Sequence, residues 1–153
     1  MKKYNTSIRN LEFRLRAFKE QIPSMLEEVV RSKEDVIISY IKDDQLYRRG
    51  VNGEDIKIWS YAPYAPSTIA RKKKKGQPTT RVTLKDTGAF YEGMHLVFEP
   101  DGFYVTSSNK VTPFLKKRYG ETIFRLTDKN LTKLLQSHIR KEFVKRIKQA
   151  ARL

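Results

Sequence analysis

An α+β fold, with a small antiparallel β-sheet and a hairpin packed against N-terminal and long C-terminal helices, follows from three observations on this 153-residue chain. Met94, Leu96 and Phe98 alternate with His95, Val97 and Glu99 up to Pro100-Asp101-Gly102, after which Phe103, Tyr104 and Val105 return. Alternation broken by turn residues predicts a β-hairpin. Leu131, Leu135, Ile139, Phe143 and Ile147 recur every fourth residue with Leu134 and Val144 beside them, which predicts a long amphipathic helix. No internal repeat and no Gly/Ser-rich or Pro-rich linker divides the chain, so residues 1–153 are expected to form a single α+β domain.

Taken in order, residues 1–50 form an N-terminal helical region. Ile8, Leu11, Phe13, Leu15 and Phe18 give residues 1–22 a basic amphipathic helix without one clean stripe, and Pro23 is expected to interrupt it. Ser24, three residues before Glu27, reads as a capping box opening a second helix through Leu26, Val29, Val30, Ile37, Ile38 and Ile41. The β-branched density of Val36–Tyr40 also permits a strand there. Gly50 and Asn52-Gly53 end the region, and Ile56, Ile58, Trp59 and Tyr61 suit a short strand or extended arm, with Trp59 expected in the core.

Residues 62–88 read as a basic loop or arm. Pro66-Ser67 opens a short helix, with Ser67 able to accept from the exposed amides. It runs into Arg71, Lys72, Lys73, Lys74 and Lys75 and stops at Gly76. Gln77-Pro78 forces extended backbone, Arg81 to Leu84 alternates like a short strand, and Asp86-Thr87-Gly88 re-aims the chain. After the hairpin, Thr112-Pro113 begins a helix ending at Gly120, Ile123–Leu126 is extended, and Thr127 caps the last helix.

The net charge of +15 points to an anionic partner: nucleic acid, a membrane surface or an acidic protein. The excess is uneven, with 13 basic against 4 acidic residues over 101–153, and Lys133, Arg140, Lys141, Lys145, Lys148 and Arg152 lie opposite the apolar stripe of the last helix. Docking of that helix on its own sheet is the ordinary outcome. No stretch reaches the ~18–20 apolar residues of a membrane span, and Met1-Lys2-Lys3-Tyr4 leads into no secretory signal, so folding in a cytoplasm is the expectation. With no cysteine there is neither a disulfide framework nor a thiolate site.

Catalytic patterns are weak. His95 and His138 have no ligand partner at metal spacing, so no metal is expected. The acidic pairs Glu27-Glu28, Glu34-Asp35, Asp43-Asp44 and Glu54-Asp55 read as surface charge, and Lys75-Gly76 lacks the remainder of a phosphate loop. No enzyme and no cofactor are expected. Arg71–Lys75, Arg81 and the last helix could neutralise several phosphates without reading sequence, which leaves nonspecific nucleic-acid binding as the alternative function.

Tyr64 ahead of Ser67 and Thr68, a Lys-rich stretch ending in Gly76, and Leu84-x-x-Thr87-Gly88 followed by aromatic residues together resemble the Mu-like virion morphogenesis and head-tail or tail-completion proteins of tailed phages. Ile123-Phe124-Arg125-Leu126-Thr127-Asp128 before the last helix is similar as well; the likeness spans roughly residues 56–148. The density of the basic run and the His95 strand depart from the pattern. The resemblance implies a structural virion protein forming a homo-oligomeric ring at the neck or upper tail, joining head to tail. Its partners would be portal, neck or tail proteins, with nonspecific contact to packaged DNA and no membrane. In that setting Arg71, Lys72, Lys73, Lys74, Lys75 and Arg81 are candidate assembly or DNA-facing contacts, and Leu84, Thr87 and Gly88 a structural corner.

Overall fold

The computed structural model describes residues 8–151; the expectations for residues 1–7 and for Arg152 lie outside them. Helix α1 spans Ile8–Arg31, followed by α2, Glu34–Ser39, which continues unbroken as a π-helix over Tyr40–Arg49. Short helices α3 (Ile58–Tyr61), α4 (Pro66–Lys74) and α5 (Ala89–Glu92) precede the antiparallel strands β1 (Met94–Glu99) and β2 (Gly102–Ser107). Helix α6 (Thr112–Tyr119) and a 3-10 turn (Glu121–Phe124) lead to a terminal helix built from α7 (Asp128–Leu134), a π-helical segment (Leu135–Ile139) and α8 (Arg140–Ala151). This is a small α+β fold with one hairpin and a long C-terminal helix, as the sequence predicts.

Several local expectations are corrected. Pro23 lies inside α1 without ending it. Strong helix formers flank it, and Ser24 does not cap: its Oγ donates to the Gln21 carbonyl 2.9 Å away, in the turn where proline supplies no amide. Residues 36–40 are helical because Ile37, Ile38 and Ile41 all turn into the core, which outweighs β-branched preference. Ile58–Tyr61 forms a helical turn rather than a strand; only Val51 and Lys57 make a bridge there. Arg81–Leu84 forms no strand, lying outside the regular elements, and Glu121–Phe124 is a 3-10 turn. At α4 the cap position is Ala65, with no side-chain cap, and Ser67 sits within the helix.

The core gathers Val29, Ile37, Ile41, Leu46, Ile58, Ile123 and Leu134, all essentially without exposure, around the helices and the inner face of the hairpin. The hairpin pairs Met94 with Ser107 at its base and Glu99 with Gly102 at its tip. Trp59 is half-buried against this core, its ring edge-on to Tyr64 at 6.1 Å. Glu34 Oε1 accepts from the Leu96 amide at 2.8 Å, so the outer edge of β1 is occupied by a carboxylate.

The terminal helix shows why a fourfold repeat misled. Its inward residues are Asn130, Leu134, Ile139 and Phe143, a spacing of four, five and four. The π-helical segment inserts the extra residue and rotates the face, leaving Leu131 and Leu135 at 40% and 48% exposure. Asn130 joins a polar centre around Gln45, itself fully buried. Gln45 Nε2 donates to the Arg125 carbonyl at 2.9 Å, and Gln45 Oε1 accepts from the Thr127 amide at 2.9 Å and Asn130 Nδ2 at 3.1 Å. Thr127 caps α7, accepting from the Asn130 amide at 3.3 Å. Asn130 Nδ2 also reaches Asp44 Oδ2 at 3.0 Å. Burial would raise the Asp44 pKa, but bonds from Asn130 and Arg48 and the charge of Arg49 outweigh it and hold the carboxyl below its ordinary range. The same strip of helix therefore fixes the π-helix of residues 40–49 to the terminal helix.

Candidate functional site

Helix α4 begins with Pro66 at its first position and ends at Gly76, whose φ of 64° lies in the left-handed region. Ile69 is its large apolar residue, packed on the core, and Lys72 follows three residues later on the same face. Lys72 is consequently buried, at 4% exposure. Its ammonium donates to the Lys85 carbonyl at 2.5 Å and to Gln77 Oε1 at 3.1 Å, and lies 5.0 Å from the centre of the Tyr64 ring. This corrects the expectation that Lys72 faces a partner or DNA: the helix points it inward, where it binds residues 77 and 85.

The remaining members of the run separate. Lys75 pairs with Asp86 at 2.5 Å, and that bond, helped by the Lys75, Arg71 and Lys72 charges, lowers the Asp86 pKa. Gln77 Nε2 donates to the Asp86 carbonyl at 2.6 Å, closing the loop onto the corner. Arg81 is half-buried at the surface, donating through Nε to the Tyr47 carbonyl at 2.6 Å. Arg71, Lys73 and Lys74 are exposed. Residues 62–88 are thus no arm: Tyr64, Val82, Thr83 and Leu84 are buried within them.

Two tyrosines build the corner. Tyr64 Oη accepts from the amides of Thr83 at 2.9 Å and Leu84 at 3.1 Å, and Tyr91 Oη donates to the Thr83 carbonyl. The Thr83 and Leu84 amides and the Thr83 carbonyl, which no strand pairs, are thus satisfied by side chains. Burial drives the Tyr91 pKa far up, which keeps its hydroxyl a donor. Leu84 has a φ of 56°, unusual for a residue with a branched side chain, and Gly88 one of 99° where α5 starts. Thr87 Oγ1 accepts from the Ala89 amide at 3.3 Å.

Between α4, this corner and the segment 109–119 runs a groove of about 550 Å³. Arg71, Lys72, Leu84, Thr87 and Gly88 all line it, so five of the residues singled out in sequence come together; Lys73, Lys74, Lys75 and Arg81 do not line it. Its floor is apolar, with Phe90, Val111 and Leu115. Lys85, Lys110 and Arg118 line it as well, and none of these three nor Arg71 forms an ion pair among the described residues. Sequence reasoning missed Lys85, Lys110 and Arg118 because residues 109–119 reach the corner only through tertiary packing. A nearer signal existed for Lys72, its three-residue spacing from Ile69.

A second cleft, about 660 Å³, lies along the terminal helix and is lined by Lys33, His138, Lys141, Lys145 and Lys148. Of the charges expected opposite the apolar stripe, Lys133, Arg140, Lys141, Lys145 and Lys148 are exposed, the last three in this cleft. His138 Nε2 is 3.2 Å from the Tyr40 hydroxyl, and His95 Nδ1 is 2.9 Å from the Gly93 carbonyl. Among the described residues, no group of three or more His, Cys, Asp and Glu could hold a metal ion, and no helix is long and apolar enough to cross a membrane.

The fold and groove define a small α+β protein with a basic-rimmed apolar groove. Compared with known proteins, the chain matches no family model, no curated protein and no solved structure.

Proposed function

We propose that this chain is a structural protein of a tailed-phage virion, forming a ring at the head-tail connector or upper tail and joining head to tail. The observation that carries the reading is the convergence of the resembling elements on one groove. Tyr64, Thr68, Leu84, Thr87 and Gly88, scattered along the sequence, line it together, and the buried Lys72 and the two tyrosines hold it rigid. A rigid groove with unpaired cations suits a docking part better than a chemical one. Exposed apolar residues at other points supply further contact surface: Phe13 is 74% exposed on α1 and Phe114 73% exposed on α6. Identical subunits meeting through different patches close rings when the rotation between neighbours closes. The partners are portal, neck or tail proteins, the chain assembles in the host cytoplasm and ends in the virion, and no cofactor takes part.

The test is size-exclusion chromatography with light scattering, alone and with a portal or tail protein. A closed oligomer, or one that forms on adding the partner, is expected. A chain that stays monomeric and cosediments with neither sinks the reading.

The second reading, nonspecific nucleic-acid binding, is favoured by the open cleft of Lys33, Lys141, Lys145 and Lys148. It predicts a steep salt dependence of duplex binding; a flat titration at low salt removes it.

A further inference from the structure

The β1–β2 hairpin joins two surfaces of opposite charge. At its base, α5 contributes Ala89 and Phe90 to the groove just before Met94, and Asn109 enters the groove two residues after Ser107. At its tip, Glu99 and Asp101 flank Pro100, and Phe103 and Tyr104 follow, 37% and 45% exposed. Neither carboxylate forms an ion pair among the described residues. Each strand has six residues. At about 3.3 Å per residue the tip therefore stands roughly 20 Å from the base, too far to reach its own chain's groove.

We propose that the hairpin tip of one copy seats in the basic groove of the next. Glu99 and Asp101 meet the cations Lys110, Arg118 and Arg71, none of them in an ion pair though Arg118 donates to the Pro63 carbonyl at 2.9 Å, and Tyr104, the more exposed aromatic, covers the apolar floor at Val111 and Leu115. The contact is heterologous, since the tip and the groove are different patches, and repetition leads to a closed ring or an open filament. Opposite charges fix orientation while Tyr104 supplies the desolvated centre. The exposed end of α1 is a poorer occupant: Leu11, Phe13 and Leu15 are interleaved with Glu12, Arg14 and Arg16, and because Glu12 is already paired with Arg16 the stretch offers the groove no free carboxylate. The inference deepens the ring reading and rests on it.

Because the chain contains no cysteine, single-cysteine variants test the contact directly. P100C at the tip and V111C in the groove are mixed with a short bis-maleimide, beside a control pair of P100C with Q149C on the exposed basic face of α8. The P100C/V111C dimer is expected to form about tenfold faster than the control, to return to the control rate with E99K/D101K on the tip chain, and to recover when K110E/R118E is added to the groove chain. Equal rates for the two pairs overturn the proposal. So does a 20-base-pair duplex that shields V111C from maleimide while tip charge reversal leaves cross-linking unchanged, which assigns the groove to nucleic acid. Light scattering separates the two readings: a ring that survives E99K/D101K with no cross-linking preference sinks the hairpin contact alone, whereas preferential cross-linking in a chain that forms no ring supports the contact and sinks the ring.

Discussion

Lysines crowd two regions of this chain, and their fates differ. In α4, Lys72 is drawn into the protein and Lys75 is tied to Asp86, while along α8 Lys141, Lys145 and Lys148 remain in solvent. Both stretches look alike as composition. The difference lies in what the inward face of each helix meets. Ile69 sets the buried face of α4, and beneath Lys72 lie a carbonyl, an amide oxygen and an aromatic ring, which together replace the water an ammonium loses. The inward positions of the terminal helix are taken by Leu134, Ile139 and Phe143, so its lysines have no acceptor inside and stay outside. Charge density alone does not locate a binding surface; the helical face does.

The sharpest way to break this contrast is to neutralise one lysine at a time in α4. K72M leaves the Lys85 carbonyl without its donor and is expected to cost about 2–3 kcal/mol, whereas an exposed neighbour costs within about 0.5 kcal/mol. Thermal unfolding should show K72M lower by roughly 4–12 °C and K73M unchanged within about 2 °C. Equal shifts for the two would dissolve the distinction. On the other side, K141Q/K145Q/K148Q should leave the melting temperature nearly unmoved and, if duplex DNA binds at all, lower the salt slope by about 3, one for each phosphate no longer neutralised. K72M should leave that slope alone.

Smaller still is the Lys75–Asp86 pair, exposed enough that its removal by D86N should cost under about 1 kcal/mol at neutral pH. The sign of its pH dependence is fixed by the lowered folded-state pKa of Asp86. Its contribution is present above the ordinary aspartate value of about 3.9 and is lost as pH falls through the lower folded value. Acid unfolding of the wild type should thus steepen below about pH 4, and D86N should flatten part of that slope. A D86N curve parallel to the wild type would mean that the bond contributes nothing to folding.

Legibility in the sequence tracked the range of the interactions. The hairpin, the Thr127 cap and the Gly76 stop were readable because alternation, a side-chain acceptor and a left-handed turn are local properties. Pro23 was misjudged because its local cost, about 3 kcal/mol, does not by itself decide where a helix ends; α1 runs through it. The exposure of Leu131 and Leu135 was invisible because one extra residue in a π-helical turn leaves no mark in a fourfold pattern. Half the groove was legible, as the order from Tyr64 to Gly88. The half made by Lys110, Val111 and Arg118 depends on packing between segments more than twenty residues apart along the chain, and only the folded structure supplies it.

The two tyrosine hydroxyls at residues 83–84 carry one more consequence. A segment outside any helix or sheet ordinarily exchanges its amide protons quickly, yet the Thr83 and Leu84 amides are held by a buried acceptor. They should exchange as slowly as the centre of α2, opening only when the whole molecule opens. On the proposed docking role, a wall held in this way calls for a partner that already has the matching shape, so that selection among partners would precede contact rather than follow it.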